Sequence, residues 1–383
     1  METIRYSALR LLALLMTIVF VEIALDAAQS RTAASARPCR VVNATQGKHF
    51  PPDSGEALAA AIESANPGDQ LEITGICTGT YTLSQNIDLT GVSTKQFPIP
   101  TLDGGQTGST LFVALGVNAT LTDLTITGGT GTSDEFGGHP SFGGGILNVG
   151  NLTLIGCAVS GNRAIRNGDG GGILNAGGSL ILRATLVSGN VADNEGGGIS
   201  NAGGIVTVAE SSTVSGNIAG DFGGGIKNTG AGVFTIDAST VTGNRITFGG
   251  GGILNRGTLT VQNSSTVSDN SARFDGGGIY NQGTLTVNSS TLSGNKGVGA
   301  GGAINNRGGI VILNSARVSG NENGIGGGMF NDNGTLTLNS SVVTGNTALV
   351  NGGGIYNNAG AVNLNSSVVT ANIPDNCVGV PGC

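Results

Sequence analysis

The sequence predicts an all-β chain wound as a parallel β-solenoid of about 26 residues per coil. Three observations predict it. A Gly-Gly-Gly-Ile motif recurs with its last residue (methionine once) at 146, 173, 199, 226, 253, 279, 304, 329 and 355, giving spacings of 27, 26, 27, 27, 26, 25, 25 and 26. Propeller blades need about 40 residues, so this period fits a solenoid coil. Runs such as TLTV and IVTV alternate apolar and polar residues and read as half-buried strands. Finally, glycine makes up 70 of 383 residues without a Gly-X-Y period, and it punctuates these strands rather than diluting them.

Taken in order, residues 1–30 read as a secretory signal peptide. Arg5 and Arg10 precede an apolar run from Leu11 to Val21, and Ala28-x-Ser30 and Ala34-x-Ala36 follow it, so cleavage is expected between 28 and 36. An apolar run of about a dozen residues is too short to span a bilayer. No second run exists, so the mature chain is expected to lack a membrane span and to be secreted or held at the cell surface. Removing residues 1–30 leaves 15 of 17 basic and 21 of 24 acidic residues, a net charge of −6. With no basic patch, nucleic acid and anionic membranes are not expected partners.

Residues 37–110 read as an N-terminal cap with the first irregular coils, 111–372 as regular coils and 373–383 as a C-terminal cap. Such caps are needed because a solenoid otherwise leaves an open apolar column and a strand edge at each end. DSGEALAAAIESAN (53–66) reads as a short capping helix. Asp53-x-x-Glu56 would be its capping box, Leu58 and Ile62 its apolar stripe, and Pro67-Gly68 its stop. Cys39 and Cys77 flank this segment, and Cys377 and Cys383 sit six apart near the other end. Each pair is expected to be a disulfide, in keeping with an oxidising compartment. Cys157 stands where other copies carry Ser and is expected to be a buried free thiol.

Within one coil, GGGIYNQGTLTVNSSTLSGN (276–295), period-2 alternation turns Ile279, Asn281, Leu285, Val287 and Leu292 inward, and Tyr280, Thr284 and Thr286 outward. Coils stacked in register then form three parallel sheets around an apolar column. The residue two after the motif residue is Asn in all nine copies, from Asn148 to Asn357. A second asparagine closes the SGN element, from Asn162 through Asn295 to Asn372. A buried amide is costly unless bonded, and stacking lets each one donate to its copy in the next coil. Both columns therefore read as structural.

On these repeats, the chain resembles the right-handed parallel β-helix proteins of the pectin-lyase-like superfamily. It is similar above all to the GGAI-type repeats of polymorphic outer membrane proteins, and Gly301–Ile304 reads GGAI. The resemblance covers roughly residues 40–383 and implies a right-handed parallel β-helix. The family's Phe-x-x-Asn element is SGN here, and IPDNCVGVPGC follows Asn372, so no carboxy-terminal membrane barrel is expected. The resemblance also implies two chemistries to look for. Lyases of this fold hold acidic sugars through calcium on clustered carboxylates and use Arg or Lys as base, while hydrolases pair acidic side chains in a groove. Here only four to seven residues separate each SGN from the next GGG, too few to wall a deep cleft. No metal-ligand spacing or Ser/His/Asp arrangement appears.

Two candidate sites remain. The longer loop TGTSDEFGGHPSF carries Asp134, Glu135 and His139, the one place where a carboxylate pair meets a histidine in sequence. With Asp169 and Glu195 these are the catalytic candidates should the chain be an enzyme. The second site is a stripe four or five residues before each motif residue: Phe142, Asp169, Glu195, Asp221 with Phe222, Phe248, and Phe274 with Asp275. At about 4.8 Å per coil it would run over roughly 25 Å. Aromatic rings stack on sugars and carboxylates accept their hydroxyls. Asp169, Glu195 and Asp221 would lie about 5–10 Å apart, within the range of a glycosidase pair. Equally, the phenylalanines could simply stack coil on coil, with Arg163, Arg166, Arg245 and Arg273 neutralising the acids. Outward threonine pairs such as Thr284/Thr286 are interrupted by Ile310/Ile312, Val233, Ile205 and Ala361, so a flat ice-binding array is not expected.

The resulting expectation is a secreted or cell-surface binding or structural module, an adhesin or glycan binder. Its partner would be an extracellular polysaccharide or a host or cell-surface glycan, and it would need no cofactor or metal. The alternative is a polysaccharide lyase or glycoside hydrolase, the lyase bringing calcium.

Overall fold

A computed structural model describes residues 38–131 and 142–383. The chain is an all-β parallel solenoid of about eleven turns with about 26 residues per turn. In a representative coil the first strand is Ile279–Asn281, the second Thr284–Asn288 and the third Thr291–Ser293. Each pairs in parallel with its own copy, Ile279 on Ile253 and Ile304, and Leu285 on Leu259 and Val311. The third row is a separate sheet of twelve strands, from Ile76–Thr78 to Val368–Thr370. The first two rows merge into one sheet, because Met329–Asn339 and Ile355–Asn365 run through the corner between them.

Three rows were expected, and a fourth is present. Two-residue strands follow the SGN element at Arg163–Ala164, Val191–Ala192, Ile218–Ala219, Arg245–Ile246 and Ser271–Ala272. Their inward residues, Ala164, Ala192, Ala219, Ile246 and Ala272, make a small core of their own. Two residues are too few to show a period, which is why the pattern did not announce this row.

The main core is a set of stacked columns. The motif isoleucines are fully buried, as is the column Leu152, Leu180, Val206, Phe234, Leu259, Leu285, Val311 and Leu336 in the second row. Burying each such side chain contributes about 1.5–3 kcal/mol. The GGG motif is the tight corner leading into the first row. Its first glycine has positive φ in every copy, for example 61° at Gly276 and 69° at Gly250. At the second glycine, a methyl on Gly251 would collide with the Gly277 carbonyl oxygen of the next coil. The third position is less confined, and Ala303 occupies it in the GGAI copy.

Both asparagine columns form ladders, as the repeat implies. In the first row, Nδ2 of Asn255 donates to Oδ1 of Asn281 (2.8 Å), and Asn281 donates likewise to Asn306 (2.8 Å). The second column is tighter. Oδ1 of Asn295 accepts from both the backbone N–H and the side-chain amide of Asn270, at 3.1 and 3.0 Å, and Asn295 Nδ2 also donates to the Val267 carbonyl at 2.9 Å. Every face of the amide is used, which removes the desolvation penalty of burying it.

The N-terminal region breaks the pattern. Strand Cys39–Asn43 pairs antiparallel with Lys48–Asp53 and with Asp69–Thr74. Helix α1, Glu56–Ser64, buries Ala57, Leu58, Ala61 and Ile62. It has no capping box, contrary to the expectation. Gly55 is the N-cap, and Asp53, at the end of an extended strand, accepts the Gly55 N–H at 2.7 Å instead. Pro51 and Pro52 hold that strand extended, so the helix starts later than its acidic signal suggested. Disulfides join Cys39 to Cys77 and Cys377 to Cys383, while Cys157 is free and buried. Burial pushes the Cys157 thiol up to about 11.

Candidate functional site

The stripe before the GGG motifs lies over the outer face of the first row. That face carries the residue after each motif residue: Leu147, Leu174, Ser200, Lys227, Leu254, Tyr280 and Asn305 among them. Alternation points these side chains away from the core, yet Ser200, Leu254 and Asn305 are at most 1% exposed, and Lys227 and Tyr280 are buried. The stripe covers them. Tyr280 was expected to stand outward and exposed; instead its ring packs on Phe222 with centroids 5.7 Å apart, and its hydroxyl receives a hydrogen bond from Arg307 at 3.3 Å.

The stripe divides into two chemically distinct halves. In the acidic half, Nζ of Lys227 lies 2.6 Å from Oδ2 of Asp169 and 2.6 Å from Oε2 of Glu195, and Arg256 approaches the other Glu195 oxygen at 3.4 Å. Oδ1 of Asp169 accepts from Nδ2 of Asn194 at 2.8 Å and from the backbone N–H of Glu195 at 3.1 Å. All three side chains are nearly buried, Lys227 at 10%, Asp169 at 15% and Glu195 at 11% exposure. Burial alone would lower the Lys227 pKa, but the charge and hydrogen bonds of Asp169, then those of Glu195, outweigh it and hold the ammonium above its ordinary range. Sequence reasoning assigned the neutralising role to Arg163, Arg166, Arg245 and Arg273. The structure gives it to Lys227 and Arg256. Arg163 and the Arg166 backbone N–H engage Asp193, and Arg273 stacks over Phe274 at 5.8 Å. Lys227 was detectable in principle, as the lysine in an otherwise uncharged column at 147, 174, 200, 227, 254 and 280.

In the aromatic half, Phe222, Phe248 and Phe274 stack in a row, with centroids 6.0 and 5.9 Å apart and ring planes inclined by 29° and 25°. Arg256 lies over Phe222 at 5.7 Å, closing that end. Phe248 and Phe274 remain 46% and 47% exposed. Asp275 gives one oxygen to the Ala300 N–H at 3.0 Å, and Asp221 is exposed beside Phe222. Phe142, 37% exposed, begins the stripe but is separated from the other rings by the coils carrying Asp169 and Glu195.

Asp134, Glu135 and His139 lie outside the described residues. A shallow depression of about 370 Å³ is lined by Thr80, Tyr81, Thr82, Thr107, Ser109 and Phe112. Burial, then the charges of Asp53 and Asp103, push the Tyr81 phenol well above its usual range, so it is a neutral wall of that depression. Among the described residues no group of three or more His, Cys, Asp or Glu is placed to hold a metal ion, and no helix is long and apolar enough to cross a membrane. No protein-family model matches the chain, and comparison with curated proteins and with solved structures gives no match.

Proposed function

We propose that the chain is an exported, non-catalytic binding module, a right-handed parallel β-helix of the pectin-lyase-like kind, whose aromatic row takes an extended polysaccharide or cell-surface glycan. The observation that carries this reading is the row Phe222, Phe248 and Phe274, fixed at one ring per coil with Phe248 and Phe274 half exposed. The rings pack on one another, and Phe222 packs on Tyr280, so the surface offered to a ligand is preorganised and pays little ordering entropy. Asp221 and Asp275 flank the row as acceptors for sugar hydroxyls. Asp169 and Glu195, by contrast, are clamped by one ammonium, which favours a structural role over acid–base work on a substrate.

What supports export is the N-terminal charge and apolar pattern together with the two disulfides. Helix α1 with the antiparallel Cys39–Asn43 strand, and the segment closed by Cys377–Cys383, then act as caps that keep other strands off the solenoid ends. The test is a glycan-array screen of the wild type and of a Phe222/Phe248/Phe274→Ala triple variant. Losing three rings at about 1 kcal/mol each weakens binding by about 100-fold while the circular dichroism stays that of a β-solenoid. Binding that survives the triple substitution removes the row as the site. Calcium-dependent cleavage of any bound glycan would replace this reading with the lyase.

A further inference from the structure

The arrangement around Lys227 holds more than an ion pair. A buried amine touches the carboxyl oxygen of one neighbour, while a second carboxyl touches the same nitrogen, both at 2.6 Å. The other oxygen of Asp169 sits between two N–H donors, from the Asn194 side chain and the Glu195 backbone. Those are the groups an acyl transfer asks for: a nucleophile beside the carboxyl, a proton carrier beside the nucleophile, and fixed donors on the oxygen where charge develops. We propose that Lys227 and Asp169 join in an intramolecular amide cross-link, with Glu195 carrying the proton.

The step balances without any co-reactant. A proton passes from the Lys227 ammonium to the Asp169 carboxylate, leaving a neutral amine and a neutral acid. Nζ attacks Cγ of Asp169, and the C–N bond forms as charge builds on Oδ1 within its two donors. Glu195 takes the second proton from Nζ and delivers it to the departing Oδ2, which leaves as water. The net change is one ammonium and one carboxylate converted to an amide and a water. Glu195 ends as it began, with Arg256 against its other oxygen throughout. Low exposure favours the forward direction, because the product buries a neutral amide in place of two charges. Ser200, in register beside Lys227 and fully buried, has a hydroxyl without a hydrogen-bond partner, a ready acceptor or donor for the water released. The reaction occurs once per molecule, so a slow rate suffices.

The bond would join residues 58 apart in sequence that lie two coils apart in the stack, with the Ile199 coil clamped between them. Its existence is independent of what the aromatic row binds. Tryptic mapping of the reduced, unfolded protein tests it. With the cross-link, Asn167–Arg183 comes off attached to Ala184–Arg245, uncut after Lys227, and the pair is lighter than the sum of its parts by one water. Glu195→Gln, checked for native circular dichroism, is expected to lose this branched peptide. Separate Asn167–Arg183 and a normal cut after Lys227 in the wild type would overturn the proposal. So would a free Asn167–Arg183 with the Lys227 peptide lighter by one water, because that places the link on Glu195. A branched peptide that persists in Glu195→Gln would overturn the role given to Glu195.

Discussion

Asn281 and Tyr280 are neighbours on one strand, point in opposite directions and are both buried. Their partners could hardly differ more. Asn281 meets its own copies, Asn255 and Asn306, one coil away on either side. Tyr280 meets Phe222, two coils back, and Arg307, one coil on. Lys227, on the same outer face, likewise reaches two coils back to Asp169. Inside, the repeat is the structure, and every residue is satisfied by another of its kind. Outside, the same backbone period carries a lane of unlike residues that fit one another only at their own positions. Identical partners make a column regular; unlike partners make a local patch, and patches are where a repeat protein can acquire chemistry.

The sharpest way to break this contrast is inside. Asn281→Leu strips the amide of Asn255 of its side-chain acceptor and the oxygen of Asn306 of its donor, and it leaves the Gly283 carbonyl with the Ile310 N–H alone. The expected loss is about 4 kcal/mol, read from the urea unfolding midpoint. In the outer lane, measured against wild-type chains in which Lys227 and Asp169 are still an ion pair, Lys227→Met leaves Asp169 and Glu195 together with Arg256 as their nearest counter-charge, at an expected cost of about 3 kcal/mol. Adding Asp169→Asn and Glu195→Gln on that background should recover most of it, whereas no second substitution of comparable size should rescue Asn281→Leu. Tyr280→Ala is expected to cost about 2 kcal/mol, through lost packing on Phe222. Tyr280→Phe, which loses only the Arg307 hydrogen bond, should cost about 0.5 kcal/mol. A null result for Tyr280→Ala would show that the lane covers the strand without supporting it.

The smallest expected effect is at Cys157, whose Sγ lies 3.3 Å from the Leu121 carbonyl. Because its folded pKa is raised to about 11 from 9.0, the fold holds the proton more tightly than the unfolded chain. Its contribution is therefore complete below pH 9.0 and is lost as the pH climbs towards about 11. Iodoacetamide at pH 8 should leave Cys157 unlabelled in the native protein and label it fully in urea. Native labelling at that pH would place the thiol outside the core.

The same contrast explains what could be read in advance. The inward isoleucines, both amide ladders and the free thiol at Cys157 follow from a period, because a residue's partner is found one spacing away. The stripe itself could be aligned by counting, and the stacking of Phe222, Phe248 and Phe274 came with it. The pairing of Asp169 and Glu195 with Lys227 did not, since nothing in a 26-residue period links positions 58 residues apart, as Asp169 and Lys227 are, or 32 apart, as Glu195 and Lys227 are (227 − 195). Asp53 misled for a different reason: its spacing to Glu56 was right for a cap, but two prolines kept it in a strand.

The asparagine ladders have one further property. In both columns the amide nitrogen always points to the coil that follows and the oxygen to the coil before, from Asn148 to Asn357 and from Asn162 to Asn372. The side-chain dipoles therefore add head to tail along the axis, in a dry interior where each bond polarises the next by about 10–30%. The rod is electrically directional, positive towards its later coils. A partly wound solenoid presents unfilled N–H donors at its growing face, and the next asparagine brings the matching oxygen. Winding in the direction of synthesis thus adds an acceptor to a waiting donor, so the two ladders act as a ratchet that sets the register of each coil as it arrives.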